Sequence, residues 1–218
     1  MNEIEKIINE NRDLLTIKEA IVRFNTRFSI GSTVENLELS QSHWIIAAIA
    51  KYQKAGKYAE IGSHCGRSAI AVTVSNPLLE INCYDAPNSG YGGQSGTDQE
   101  LERGLEMFAK GKYHVNYGDS KSQQIKDKIK ELGPYQMAFV DGDHSNAGAL
   151  GDLTTMYANL NNGGFLILDD LTWHPDLESV WDKFVIDMNP SESFKILILT
   201  PEEIALNYVQ RGIGILIK

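Results

Sequence analysis

Phe139-Val140-Asp141-Gly142-Asp143-His144 is an apolar strand that runs straight into acids, and Leu166-Ile167-Leu168-Asp169-Asp170 repeats the pattern 28 residues on. Two such strands with a helix's worth of chain between them are expected to lie parallel in one sheet. The ends of parallel strands open into a common crevice, so the two acidic clusters should face each other there. A single Asp at a strand end is ordinarily a helix cap or a solvated loop residue. Asp141, Asp143, Asp169 and Asp170 together, beside His144, point instead to a functional site. Gathered carboxylates raise one another's pKa unless a cation lies between them. Oxygen donors of this kind suit Mg²⁺ or Ca²⁺, and also Mn²⁺.

Working outward, short apolar runs recur near residues 58–62, 80–85, 113–118, 136–141, 164–169, 194–199 and 212–217. Helical patterns separate most of them. One runs from Gly66 to Ser75. A second opens on Thr97-Asp98-Gln99-Glu100, which has the form of a capping box, and carries Leu101, Leu105 and Phe108. Further stripes hold Ile125, Ile129 and Leu132, then Leu150, Leu153, Tyr157 and Leu160, then Leu177, Trp181, Phe184 and Met188. Asn161 to Gly164 reads as a helix stop. This alternation predicts an α/β fold: a mostly parallel sheet with helices on both faces. Between Thr200 and Arg211 there is little room for a crossover helix, so the last two strands are expected to be antiparallel.

Residues 1–28 read as helical through Ile4, Ile7, Ile8, Leu14, Leu15, Ile21 and Phe24. Ser29 to Asn36 is a polar break. Ser40 is the expected N-cap of a helix bearing Trp44, Ile45, Ala48 and Ile49 and ending at Gly56. The expected division is a helical cap segment over residues 1–40 and the main domain over 41–218. The cap would cover the site or form a homo-oligomer interface; the pattern does not separate these.

The net charge of −9 argues against a nucleic-acid-binding surface, which needs a basic face. No apolar run reaches the ~18–20 residues that span a bilayer. The polar start of the chain carries no signal-peptide core, so the expected location is cytoplasmic. Cys65 and Cys83 match no zinc spacing or disulfide framework and read as free thiols.

Glu60-Ile61-Gly62-Ser63-His64-Cys65-Gly66-Arg67-Ser68 joins the first strand to a helix. Gly62 and Gly66 allow a tight turn and close approach of a ligand. No Gly-Lys-Ser/Thr follows, and the Gly-x-Gly-x-x-Gly spacing is missing, so this is neither a phosphate loop nor a dinucleotide fingerprint. Asp85 ends the second strand about 20 residues on, where an acid can accept from both ribose hydroxyls. Pro87 to Gly96 is a Gly-rich loop bordering the crevice, a lid or a plain solvated loop.

The segment Glu60–Ser68 resembles motif I of class I S-adenosylmethionine-dependent methyltransferases, in the version of the catechol-type O-methyltransferases. Val140-Asp141-Gly142-Asp143-His144 and Gly163 to Asp170 resemble the metal-dependent O-methyltransferases of the macrocin and sugar-methylating kind. The resemblance runs from about Lys57 to Trp173. It implies a Rossmann-like seven-stranded sheet of order 3-2-1-4-5-7-6 with strand 7 antiparallel. It also implies S-adenosylmethionine as cofactor, with Gly62, Ser63 and Ser68 along its methionine end and Glu60 beneath. Asp85 would hold the ribose, Asp119 and Ser120 would lie near the adenine, and Asp141 would border the cofactor while holding, with Asp169 and Asp170, a divalent metal such as Mg²⁺. Catechol-type enzymes place a Lys near the position of His144; its absence here argues against a catechol acceptor.

A sulfonium methyl is already activated, so the enzyme must align an oxygen with it and take that oxygen's proton. Histidine titrates near neutrality, which makes His144 the candidate base, with Asp143 as its rival or its orienter. A metal that lowers the pKa of a hydroxyl and grips two neighbouring oxygens would suit a small polyhydroxylated acceptor, a sugar or a glycosylated natural product. A metal-independent methyltransferase, an NAD-dependent oxidoreductase and a non-catalytic scaffold are the alternatives. Trp173 and His174 either line the pocket or form a packed corner before Pro175. His43 reads as a packing or exposed residue.

Overall fold

The computed structural model describes residues 2–28, 39–86 and 97–218. The expected loop over 87–96, Tyr91 within it and the polar break at 29–36 lie outside these residues, as do the side chains of Thr97 and Asp98 in the expected capping box. In chain order the elements are α1 (Glu3–Glu10), α2 (Leu14–Phe28), β1 (Leu39–Ser40), α3 (Gln41–Tyr52), β2 (Gly56–Ile61), α4 (Arg67–Ser75), β3 (Leu79–Asp85), α5 (Thr97–Phe108) and β4 (Tyr113–Tyr117). They continue as α6 (Gln123–Leu132), β5 (Tyr135–Val140), α7 (Asn146–Ala158), β6 (Leu160–Leu168), α8 (Leu177–Met188), β7 (Glu192–Ile196), α9 (Pro201–Ala205), β8 (Tyr208–Val209) and β9 (Ile213–Ile217).

Seven strands form one sheet in the order β4-β3-β2-β5-β6-β9-β7. Counted along the sheet's own strands this is the expected 3-2-1-4-5-7-6. The first five are parallel, and β9 runs antiparallel to both β6 and β7. Side chains alternate across the central strands as pleating requires. Tyr58, Met137, Phe139, Phe165 and Ile167 join the core on one face, while Ala59, Ile61, Ala138, Val140, Leu166 and Leu168 join the core on the other. Both faces are therefore apolar, which is why these strands read as near-continuous hydrophobic runs.

The first core also takes in Ile4, Ile7 and Ile8 of α1 and Leu14, Ile17 and Ile21 of α2. The expected boundary at 40/41 thus falls within one continuous apolar core. The helical start, as expected over residues 1–28, consists of two helices. Asn2 caps α1, the α1 C-cap is Asn11, and Asp13 accepts the Thr16 N–H as α2 begins. Ser40 caps α3 as expected, with the unforeseen twist that His43 Nδ1 accepts the Ser40 N–H at 3.1 Å and completes the box. The expected stop at 161–164 instead lies inside β6. The pair β1–β8 was not expected; at two residues each, these strands carry no readable period. Among the described residues, no helix is long and apolar enough to cross a membrane.

Candidate functional site

The ladder continues one residue past the strand ends and sets the site in a row. Gly62 N–H donates to Tyr84 O at 2.8 Å, Asp141 N–H to Ile61 O at 2.9 Å, and Asp169 N–H to Val140 O at 3.1 Å. Asp85, Gly62, Asp141 and Asp169 consequently stand side by side at the carboxyl edge of β3, β2, β5 and β6. A cavity of about 510 Å³ opens over this edge. All the expected site residues except Glu60 line it: Gly62, Ser63, Ser68, Asp85, Asp119, Ser120, Asp141, Asp143, His144, Asp169 and Asp170. Its size is that of a small-molecule site.

Glu60 lies under the cavity, fully buried. Its two carboxylate oxygens accept from Ser68 Oγ at 2.6 Å and Tyr58 Oη at 2.5 Å. Burial raises its pKa to about 7, against the stabilising hydroxyls of Ser68, Tyr58 and Ser63. Glu60 therefore ties β2 to the first turn of α4 and fixes the glycine turn between them. In the unfolded chain this carboxyl ionises near 4.5. Its folded pKa lies higher, so its stabilising contribution is complete below 4.5 and is lost as the pH rises to about 7. Glu60→Gln is expected to flatten the fall of Tm across that window; a slope unchanged from the parent chain would show that Glu60 ionises normally in the fold.

Gly62 sits at φ +86°, a conformation that side chains resist, and the loop's next turn puts His64 at φ +47°. His64 N–H donates to Asp85 Oδ1 at 3.0 Å, which holds the acid against the glycine loop. Asp119 caps its own turn by accepting the Lys121 N–H at 2.9 Å. The Ser120 hydroxyl reaches buried Asp152, whose pKa burial pushes up to about 6.

The acids divide into three environments. Asp143 leaves the cluster: Oδ2 pairs with Lys121 Nζ at 2.8 Å and Oδ1 accepts the Ser145 N–H at 2.9 Å. Burial opposes its charge, but these partners win and lower its pKa. Asp169 is 4% exposed, and its Oδ1 has no hydrogen-bond partner. Burial, then the charges of Asp141 and Asp170, push it well above the carboxylate range, opposed by the Ser42 hydroxyl of α3 and the Asp170 N–H. Asp141 shifts upward through burial and the charges of Asp170 and Glu60, against Arg211, although 31% of its side chain remains exposed to moderating solvent.

Asp141 and Asp170 converge on His144, whose Nε2 lies 3.3 Å from Asp141 Oδ1 and 3.3 Å from Asp170 Oδ2. The other Asp170 oxygen faces Arg211 Nη1 at 3.5 Å, and the Arg211 guanidinium lies 4.3 Å over the Trp173 ring. Asp170 adopts φ +62°, a costly backbone for a non-glycine residue and one that marks functional turns. These positions test the three-carboxylate Mg²⁺ set. Among the described residues, the trio of metal-capable donors lying within 4.8 Å of one another is His144, Asp170 and His174, not Asp141, Asp169 and Asp170. A guanidinium already stands on Asp170. The three carboxylates all line the cavity, as oxygen donors of the kind Mg²⁺ takes, but among the described residues they do not form one close donor cluster.

Three residues that line the cavity, Arg211, Lys121 and His43, are not marked by the sequence as members of the site. Arg211 comes from the stretch between β8 and β9 and is delivered by main-chain bonds from Leu171 and Thr172 N–H to Gly212 and Arg211 O. Lys121 follows the expected Asp119-Ser120 pair. His43 lines the cavity 7% exposed, and burial with nearby Arg67 and Arg211 lowers its pKa to about 3, so it is neutral. His174 stacks on His144, the ring centroids 4.4 Å apart. Sequence leaves a pocket wall and a packed corner equally open for His174, because no periodicity marks the turn that decides between them.

A mostly parallel sheet with one reversed strand, and a glycine turn beside an acid at its carboxyl edge, defines a class of cofactor-binding transferase folds. The profile of the methyltransferase-domain family matches residues 59–171, more than half of the chain, and the protein belongs to that family. No curated protein sequence matches it. Among the solved structures that share the fold, three at low identity are these. The O-methyltransferase TomG of Streptomyces achromogenes, involved in tomaymycin synthesis and solved with SAM, is 13% identical over 100% of this chain and 99% of that one, with a TM-score of 0.63. An O-methyltransferase from Bacillus cereus in complex with SAH is 14% identical over 99% and 100%, with a TM-score of 0.64. A methyltransferase from Podospora anserina bound to SAH is 18% identical over 99% and 96%, with a TM-score of 0.59.

Proposed function

We propose that the protein transfers a methyl group from S-adenosylmethionine to a hydroxyl of a small polyhydroxylated molecule. The observation that carries this reading is the row Asp85–Gly62–Asp141 at one sheet edge, opening on a cavity that His144, beside Asp141, also lines. The Gly62 turn, at a positive φ that glycine adopts without steric cost, would bring main chain against the methionine end, with Ser63 and Ser68 alongside and Glu60 holding the turn from below. Asp85 would take the ribose, and Asp119 and Ser120, which line the same cavity, would border the base. The acidic walls favour a sulfonium cation.

In the reaction, a lone pair of the acceptor oxygen attacks the sulfonium methyl carbon. The C–O bond forms as the S–C bond breaks, and its electron pair returns to sulfur as a neutral thioether. The hydroxyl proton passes to His144. The carboxylates of Asp141 and Asp170, each 3.3 Å from Nε2, hold the ring and stabilise the imidazolium that results. Asp143 is the weaker candidate because Lys121 and Ser145 already use both its oxygens.

Of the two forms of this reaction, metal-dependent and metal-independent, one observation favours the second. Arg211 places a fixed cation on Asp170, at the position the sequence assigns to a metal ligand. Transfer of labelled methyl to a panel of vicinal diols and phenols, run with chelator, tests the reading. Label on an acceptor oxygen, with turnover retained in chelator and in Asp169→Asn, is the expected result. Label on nitrogen or carbon would overturn the O-methyl assignment, and turnover that needs added Mg²⁺ and is lost in Asp169→Asn would restore the three-carboxylate site.

A further inference from the structure

The Lys and Arg side chains that line the cavity are Arg67, Lys121 and Arg211. Two of them already stand on acids of the site. Lys121 Nζ is 2.8 Å from Asp143 Oδ2, and Arg211 Nη1 is 3.5 Å from Asp170 Oδ1. Arg67 differs. Its Nε donates to Asn25 Oδ1 at 3.1 Å, and among the described residues no carboxylate pairs with its guanidinium. His43, which also lines the cavity, is neutral and supplies no counter-charge. A partly buried cation is costly unless a group of opposite charge meets it.

The fold holds Arg67 in this place. It is the first residue of α4 and directly precedes Ser68, whose hydroxyl bonds Glu60 beneath the Gly62 turn. Asn25 comes from α2, which packs on α4, and is 3% exposed. Phe24, the residue before it, forms a small core with Cys65 and Ile70, one on either side of Arg67 in the chain. Among the described residues the Asn25 Nδ2 has no partner, so this buried amide serves a single bond, from Arg67 to its Oδ1. Burying a polar group half-satisfied is unfavourable, which points to a role in setting the guanidinium rather than in stability. The bond also decides which edge of Arg67 is presented. Guanidinium grips a carboxylate through two parallel N–H···O bonds. With Nε engaged by Asn25, the fork that remains is the one between the two terminal nitrogens.

We propose that Arg67, positioned by Asn25 of α2, receives the α-carboxylate of the cofactor's methionine end. The proposal rests on the methyltransferase reading and deepens it. It gives the N-terminal helices a part in cofactor recognition. The methionine end brings an anion into a cavity lined by Asp85, Asp141, Asp143, Asp169 and Asp170, where it needs a cation that none of these acids holds. Arg67 is that cation, on the turn where Gly62, Ser63 and Ser68 would run along the same end. Asn25 acts through Arg67 and does not touch the ligand.

The test uses the full chain and two ligands, S-adenosylhomocysteine and methylthioadenosine. Both are adenosyl thioethers; the second lacks the amino-acid end. Calorimetric affinities are compared in the parent chain, Arg67→Gln, Arg67→Lys and Asn25→Ala, with thermal melts as the check on folding. The parent is expected to bind S-adenosylhomocysteine at least ~10-fold more tightly than methylthioadenosine. Arg67→Gln should weaken S-adenosylhomocysteine by about 10–100-fold, the range of a hydrogen bond to a charged group, and methylthioadenosine by less than about 3-fold. Arg67→Lys keeps the charge but neither the fork nor the Nε bond, and should recover only part of the loss. Asn25→Ala should weaken S-adenosylhomocysteine by about 3–10-fold and leave methylthioadenosine unchanged, a contrast that a merely structural amide would not produce. Unaltered affinities in Arg67→Gln, or equal losses for both ligands in a variant that melts like the parent, would overturn the assignment. So would equal affinities of the parent chain for the two ligands, a result that needs no variant. A folded parent chain that binds neither ligand would overturn the methyltransferase reading and this proposal with it.

Discussion

Gly62→Ala is expected to abolish binding of S-adenosylhomocysteine while Gly66→Ala only weakens it. Both glycines have positive φ, +86° and +90°, so each substitution carries the backbone strain of about 1–3 kcal/mol. The two sites differ in their neighbours. A Cβ on Gly62 would fall 2.0 Å from the carbonyl oxygen of Asp141 and 2.7 Å from Gly142 Cα, which are backbone atoms of the adjacent strand end. A Cβ on Gly66 would meet the Leu101 Cδ1 at 2.7 Å, the tip of a side chain that can swing aside. The first clash is relieved only by prising β2 from β5 at the cofactor edge. Overpacking adds about 1–3 kcal/mol to the strain, a large part of a domain's stability of about 5–15 kcal/mol. Calorimetric titration together with thermal melts checks this. Equal losses in the two variants would mean that close approach at Gly62 is not what forms the site.

His144→Ala is expected to lower turnover by about 10²–10⁴-fold, the range a positioned general base supplies. Cofactor affinity should stay within about 3-fold, a change of under ~1 kcal/mol, since the proposed reading gives His144 to the acceptor and not to the cofactor. Asp143→Asn, in contrast, should cost less than about 10-fold, because its carboxylate is engaged with Lys121, whose side chain is 52% exposed, and such a pair is worth at most about 1 kcal/mol. Single-turnover rates with a methyl acceptor from the diol panel measure both. A reversal of the two effects would move the base to Asp143 and leave His144 as its neighbour.

The parts of the fold legible in the sequence are those with a period. Met137 and Phe139 against Ala138 and Val140 show a strand buried on both faces, and the short span from Thr200 to Arg211 fixes the reversal of the last strand. The strand-end acids are legible because the ladder itself carries Asp85, Gly62, Asp141 and Asp169 to one edge. Beyond the ladder the chain loses that regularity. Asp170 turns left-handed without being glycine, and nothing local announces it. That turn sends Asp169 and Asp170 to different surroundings, one against Ser42 and one against His144, where the sequence suggested a shared ion. Arg211 is brought to Asp170 by non-local pairing, far along the chain. The break between α1 and α2 hides because Ile4 to Phe24 keeps a nearly continuous helical stripe across it.

Calorimetric titration of the untreated full chain with S-adenosylmethionine, S-adenosylhomocysteine and NAD⁺ tests the central claim most directly. The expected result is one site per chain for both adenosyl ligands in the micromolar range, unchanged by chelator, with no heat from NAD⁺. A folded protein that binds neither adenosyl ligand, or that binds NAD⁺ in their place, would contradict the account.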